Sequence, residues 1–267
     1  MLAPALADTI SGMNPAAFEA LARLEPGNFW FVPRSRLIEG LLTRYFPAAE
    51  SFMEIGCGTG FVLSGIARMR PWRRLVGSEL HPKGLAFARG RLGARAEFVQ
   101  MDARAIPARD AFDVIGAFDL LEHIEEDESV LAAMYGAVRP GGGIVLTVPQ
   151  HPWLWSNTDE RALHARRYRR GELERKVRAA GLRVLFSASY IWLLLPLMAA
   201  SRWLPRSSEP AAAGSELKLP GVLNTVFNAV VRLEVVLTLA GLRFPFGGSR
   251  VVVAAKPASL AMRAPGD

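Results

Sequence analysis

Three glycines at alternate positions constrain this chain more than any other feature. In Glu54-Ile55-Gly56-Cys57-Gly58-Thr59-Gly60 they end one apolar run and open a stretch with helical spacing. A backbone without Cβ atoms can turn sharply there and let a ligand approach where any side chain would collide. The same alternation continues down the chain. β-type runs at 51–55, 74–78, 97–101, 112–118 and 143–148 are separated by helical stretches at about 60–70, 82–92 and 125–138. Strands that are apolar nearly throughout, alternating with helices, predict a parallel sheet covered on both faces. Right-handed crossovers make that sheet doubly wound. A sixth strand is expected at about 182–189 and a last one at 249–256, with an N-terminal helix at about 35–46 just after Trp30 and Phe31.

The glycine spacing narrows the ligand. A dinucleotide loop needs G-x-G-x-x-G, and Phe61 stands where its third glycine belongs. A pyrophosphate also needs a helix N-terminus cleared for its charge, which an adenosyl sulfonium does not. Glu79 closes the second strand, where a carboxylate can accept both hydroxyls of a ribose. Asp102 follows the third strand, in position to accept from an adenine amino group. These three signals fall in register at the carboxyl ends of successive strands, which is where open α/β sheets bind ligands.

With EIGCGTG at 54–60, Glu79, MDA at 101–103, FDLLEHI at 118–124 and VRPGGGIVLTVP at 138–149, the sequence closely resembles the class I S-adenosylmethionine-dependent methyltransferases, in particular the small-molecule and lipid-type members of the type 11/12 group. The resemblance covers about 28–189 and the last strand. It implies a Rossmann-like, doubly wound seven-stranded sheet with an antiparallel last strand, binding S-adenosyl-L-methionine across its carboxyl edge. By the same resemblance Gly56, Gly58 and Gly60 line the methionine part with Cys57 among them, and Glu54 lies near its amino group. Glu79 and Leu80 flank the ribose, Asp102 and Ala103 the adenine, and Phe118 and Asp119 the sulfonium end.

Acceptor chemistry leaves its own marks. Amino-group methylation of bases favours an Asn/Asp-Pro-Pro-aromatic run after the fourth strand, where this chain has AFDLLEH. Cytosine C5 methylation needs a cysteine nucleophile, and the single cysteine, Cys57, lies in the glycine loop. Asp119, Glu122 and His123 read as cofactor-edge contact and helix capping. His123 is also a general-base candidate, since imidazole titrates near working pH. A metal held by Asp119, Glu122 and His123 is the third reading, and none is expected. His151, in His151-Pro152-Trp153-Leu154-Trp155 after the fifth strand, is a second base candidate beside an aromatic pocket wall or a packed loop.

The chain has 267 residues, 51% of them apolar, and a net charge of +7. Both excesses are local. Residues 161–183 hold nine Lys and Arg against Glu172 and Glu174, a net of +7, while 97–128 hold ten acids against Arg104 and Arg109, a net of −8. The basic run reads as a solvated face, an anionic-acceptor site, or a surface for anionic lipid or RNA. The apolar excess lies in 190–200 and 219–242. Once strand six is set aside, the first uncharged stretch has 12 residues interrupted by Pro196, too short to span a bilayer. The second is apolar nearly all round, a pattern for burial or lipid contact. Four segments follow: an N-terminal helical lid (1–48), a cofactor-binding domain (49–189), an apolar helical insertion or cap (190–247), and the last strand and tail (248–267). The lone cysteine and the absence of a secretory leader pattern point to the cytoplasm, and the basic and apolar segments to peripheral contact with the inner membrane face. The function expected is methyl transfer to oxygen or nitrogen of a small apolar, anionic or lipid-linked acceptor, by a monomer or homodimer. RNA methylation through the basic stretch and a non-catalytic, cofactor-binding regulator are the alternatives.

Overall fold

The computed structural model describes residues 15–201 and 218–258. In chain order the elements are α1 (Pro15–Leu24), α2 (Phe31–Tyr45), β1 (Ser51–Ile55), α3 (Phe61–Met69), β2 (Arg74–Glu79), α4 (Pro82–Leu92), β3 (Glu97–Gln100), β4 (Phe112–Phe118) and α5 (Asp127–Ala137). There follow β5 (Val138–Pro149), α6 (Asn157–Arg161), α7 (Glu172–Ala179), β6 (Arg183–Tyr190), α8 (Leu195–Ser201), α9 (Gly221–Leu239) and β7 (Ser249–Ala255). The strands form one sheet in the order β3-β2-β1-β4-β5-β7-β6, parallel except for β7, which runs antiparallel to both β5 and β6. The chain reverses its direction across the sheet between β1 and β4, so the loops after these two strands flank a crevice.

Side chains that alternate across the pleat serve two cores. Val251 and Val253 of β7 pack with Leu37, Ile38 and Leu41 of α2 on one face, whereas Val252 and Ala254 pack with Val130, Leu131 and Val177 of α5 and α7 on the other. Two elements depart from the sequence expectation. Helix α2 starts at Phe31, about four residues early, because Pro33 falls in the first turn, where helical N–H groups have no partner to lose. Strand β5 begins at Val138 and runs through the glycines at 141–143, with a register irregularity opposite Phe112 and Val114. Helices α8 and α9 are inserted between β6 and β7, and α9 lies against α2 where Gly40 leaves room for Leu239.

Candidate active site

The loop after β1 has Gly56, Gly58 and Gly60 all in the left-handed region, with φ of 65°, 53° and 75°. It is held to β2 by the Cys57 amide, which donates to the Ser78 carbonyl at 2.9 Å. At Gly60 a Cβ would come within 2.9 Å of Ala88 on α4, so this glycine lets the loop pack down. At Gly58 a Cβ would meet nothing within 4 Å, so this glycine opens onto space. Glu79 is aimed back at the loop: one carboxylate oxygen accepts from Gly58 N at 3.0 Å, the other from Leu80 N at 2.9 Å and His81 N at 3.0 Å. Glu54 is buried at the end of β1, and its Oε2 has no hydrogen-bond partner. Burial pushes its carboxyl well above the usual range, against the opposing pull of Arg34.

A cavity of about 470 Å³ starts at this loop. Its floor is Glu54, Gly56–Thr59 and Phe118–Asp119, and its N-terminal wall is Phe18, Glu25, Phe29, Phe31 and Arg34 from α1, α2 and their connection. Helices α8 and α9 complete it with Leu197, Met198 and Phe227. The N-terminal wall is tied to the floor. Thr59 Oγ1 donates to Glu25 at 2.6 Å, and Arg91 pairs with Glu25 at 2.8 Å. Arg34, itself buried, pairs with Asp119, whose other oxygen accepts from Thr147 Oγ1 at 2.8 Å. The Arg34 Nε remains buried without a partner.

The remaining wall carries titratable groups. Glu122 is buried with both carboxylate oxygens unpartnered, and burial pushes its carboxyl up to about 8. His123 beside it is pushed down to about 4 by burial and by the neighbouring His164. The His123 and His164 rings meet edge to face at 4.6 Å between centroids. His164 Nδ1 lies 2.9 Å from Asp159 Oδ1, and Arg167 Nε donates to the same oxygen at 2.7 Å. Burial alone would raise the Asp159 carboxyl, but His164 and Arg167 outweigh it and hold it well below its ordinary value. The Ala165 amide, donating to the Glu122 carbonyl at 2.7 Å, brings this segment against the end of β4.

Residues 52–142 match the family model of a methyltransferase domain. Trans-aconitate 2-methyltransferase of Paracidovorax citrulli is 30% identical over 167 residues, 61% of this chain and 64% of that protein. Ubiquinone biosynthesis O-methyltransferase of Aeromonas salmonicida is 31% identical over 109 residues, 39% of this chain and 45% of that protein. The chain thus matches less than two thirds of either relative's length. Among solved structures, phosphoethanolamine N-methyltransferase 2 of Haemonchus contortus with bound S-adenosyl-L-methionine superposes with a TM-score of 0.62 at 17% identity, covering 91% of this chain and 57% of that one, a likeness of fold. Residues 52–142 thus carry a methyltransferase domain, in a fold shared with S-adenosylmethionine-dependent methyltransferases.

Around this domain the sequence-predicted residues fall into two groups. Glu54, Gly56, Cys57, Gly58, Phe118, Asp119 and His123 line the cavity. Gly60, Glu79, Leu80, Asp102 and Ala103 lie outside its lining, at the loop and the ends of β2 and β3. Asp102 is held there by Arg104, whose Nη2 lies 2.7 Å away, and that hydrogen bond lowers its carboxyl from the ordinary value. His151 is not in the cavity wall either. It stacks on Trp153 and Phe246 at 5.5 and 6.0 Å between centroids, with a left-handed φ of 64°. The Asp119-Glu122-His123 grouping is also rearranged: Asp119 turns to Arg34, and it is His164 whose donor atom lies with those of Glu122 and His123, all within 4.8 Å. Sequence reasoning missed Arg34, Glu25, Asp159 and His164, and had Arg167 only as part of the basic run. Part of the basic run is neutralised internally, since Arg167 pairs with Asp159 while Arg166 and Lys176 pair with Asp127.

Proposed function

We propose that this protein transfers a methyl group from S-adenosyl-L-methionine to oxygen or nitrogen of a small apolar or lipid-linked acceptor, by in-line displacement. The observation that carries the reading is a single cavity that runs from the glycine loop, past Glu122, His123 and His164, to the apolar side chains of α8 and α9. The donor fits the residues at the loop end. The orphaned Glu54 Oε2 suits an ammonium group, the orphaned Arg34 Nε suits a carboxylate, and the space over Gly58 admits a chain that a Cβ would obstruct. Glu79, Leu80, Asp102 and Ala103 then serve the adenosine, and Phe118 and Asp119 the sulfonium end. When bound, the donor supplies a methyl group already activated on a sulfonium.

What remains for the protein is alignment and removal of a proton. His164 takes the second task. Its Nδ1 is committed to Asp159, which leaves Nε2 to accept the proton of the attacking O–H or N–H group. The Asp159 carboxylate stabilises the imidazolium that forms. His123, held neutral by burial, is a weak base and acts as the wall against which His164 is set. Phe29, Phe31, Leu197, Met198 and Phe227 exclude water and bind the apolar body of the acceptor. On this reading the protein works in the cytoplasm with access to the inner membrane face, and nucleic acid is not its acceptor.

The test is purified protein incubated with methyl-labelled donor and with cell extract split into solvent-soluble, aqueous and RNA fractions. Label in a solvent-soluble product supports the reading. Label in RNA supports the alternative, and no transfer to any fraction favours a cofactor-binding regulator.

A further inference from the structure

Helix α9 is apolar on both faces. Val231 and Val235 are buried in the core with Phe227, Val230 and Leu239 packed against it, and polar residues tie this same inner face to the protein. Asn224 accepts from Phe29 N at 2.9 Å and donates to Gly27 O at 3.0 Å, and Asn228 donates to the same carbonyl at 3.3 Å. Glu234 is buried and accepts from Trp192 N at 3.1 Å and Leu193 N at 2.6 Å, and Thr238 is buried one turn on. Facing outward are Val222, Val226, Ala229, Leu233, Val236 and Ala240, spaced alternately four and three residues apart and all exposed. Val222 and Val236 are 81% and 64% exposed. Leu193 and Leu197 add exposed apolar surface from the α8 side, and Leu197, with Met198 and Ser201, also lines the cavity. A helix normally turns its apolar stripe to the core. Here the inner face already has its own apolar residues in the core, and backbone partners on the α1–α2 connection and before α8 fix it there, which leaves a second apolar stripe outside.

The charge around this stripe has one sign. Among the described residues 191–201 and 218–248, the exposed charged side chains are Lys218, Arg232 and Arg243, and the single acid, Glu234, is buried. We infer that this face docks in the plane of a bilayer bearing anionic lipid, with α9 lying in the interface and the α8 end of the cavity opening toward the acyl chains. By length and composition α9 is also able to cross a membrane. Two observations favour lying over crossing. The helix is tied to the domain from Asn224 to Leu239, whose carbonyl accepts from Arg44 at 2.8 Å. Arg232 sits at its midpoint on the outer side, where an interfacial helix lets the guanidinium reach water and a spanning one buries it. The same spacing suits a coiled-coil seam with a second copy. An antiparallel pair centred on Val231 would set Arg232 beside its own copy, though, so like charges oppose it. Docking supplies a route for the lipid-linked acceptor proposed above, and only that consequence rests on the catalytic reading.

The test is co-sedimentation of the full chain with vesicles of phosphatidylcholine alone and of phosphatidylcholine with phosphatidylglycerol, at low and high salt. Donor affinity is followed in parallel by calorimetry as a readout of the catalytic site. Binding is expected with the anionic vesicles, weaker at high salt, and reduced about tenfold or more both in Val226→Asp/Leu233→Asp/Val236→Asp and in Lys218→Glu/Arg232→Glu, with donor affinity kept. The second variant alters only exposed charges and keeps the test valid if the first misfolds. No binding by the wild type, or equal binding by the charge variant, overturns the proposal. A dimer that the stripe variant dissociates while vesicle binding is unchanged overturns it in favour of a second copy.

Discussion

Nδ1 of His164 and Oδ1 of Asp159 lie 2.9 Å apart, and Arg167 holds the same carboxylate oxygen at 2.7 Å. The carboxylate therefore fixes the ring's tautomer and orientation while sharing its charge with a guanidinium. A base built this way is held in one orientation.

His164→Ala is accordingly expected to lower kcat for the acceptor by about 10²–10⁴ while leaving donor affinity unchanged, the signature of a lost proton acceptor. Asp159→Asn should lower both kcat and Tm, because Asp159 also closes the capping box with Ser156 at the start of α6. Steady-state kinetics beside calorimetry separate the two effects. A His164→Ala enzyme with full kcat would remove the residue from the mechanism.

Glu122 gives a prediction in pH. Its carboxyl titrates near 8 in the folded protein, against an ordinary value of 4.5. Between those values the folded state holds a proton that the unfolded state has released, so stability is greatest below about 4.5 and falls as pH rises toward 8. His123, lowered from 6.5 to about 4, has the opposite sign: the unfolded state binds the extra proton there, and stability rises with pH across that window. The two offset up to about pH 6.5, so the net loss lies above it. Glu122→Gln removes the first effect. Its Tm should exceed that of the wild type at pH 8, by an amount corresponding to a few kcal/mol on the scale of about 1.4 kcal/mol per pH unit, and should converge on it near pH 5. Melts run in chelator make the comparison one of protons alone, and parallel curves across the range would contradict it.

The order of strands and helices was legible because it is a local property: period and run length show it without any long-range contact. The glycine loop was legible for the same reason, since its constraint lies within seven consecutive residues. The acid–base wall was not. His164 is brought to Glu122 by one hydrogen bond, from the Ala165 amide to the Glu122 carbonyl, across more than forty residues of chain, and Arg34 reaches Asp119 across 85. Neither pair has a spacing to detect. In α9 the apolar period is the same whether the stripe faces in or out. Backbone groups of Gly27, Phe29, Trp192 and Leu193 decide the direction by partnering Asn224, Asn228 and Glu234.

Two carboxylates at the loop are predicted to act on different parts of the donor. Glu79→Ala should weaken binding of both S-adenosyl-L-methionine and its demethylated product by about tenfold or more, since the ribose is common to both. It should also lower Tm, because the Gly58, Leu80 and His81 amides lose their acceptor. Glu54→Gln should likewise weaken both ligands, if its partner is the amino group they share. A loss confined to the charged donor would place Glu54 at the sulfonium instead, and unchanged calorimetric affinities would remove both residues from the site.

Gly58→Ala separates folding from binding. The added Cβ meets no atom within 4 Å, so the fold bears only the cost of a left-handed φ of 53°, about 1–2 kcal/mol. Gly60→Ala adds to a φ of 75° a contact of 2.9 Å with Ala88 and should lower Tm further. For binding the order reverses. The Gly58 Cβ projects into the space above the loop where the methionine part of the donor is proposed to lie, whereas Gly60 points away toward α4. Gly58→Ala should therefore melt closer to the wild type yet lose the larger share of donor affinity. Calorimetry and thermal melts on the two variants read both quantities, and a Gly58→Ala protein that binds donor as the wild type does would mean the donor takes another path across the loop.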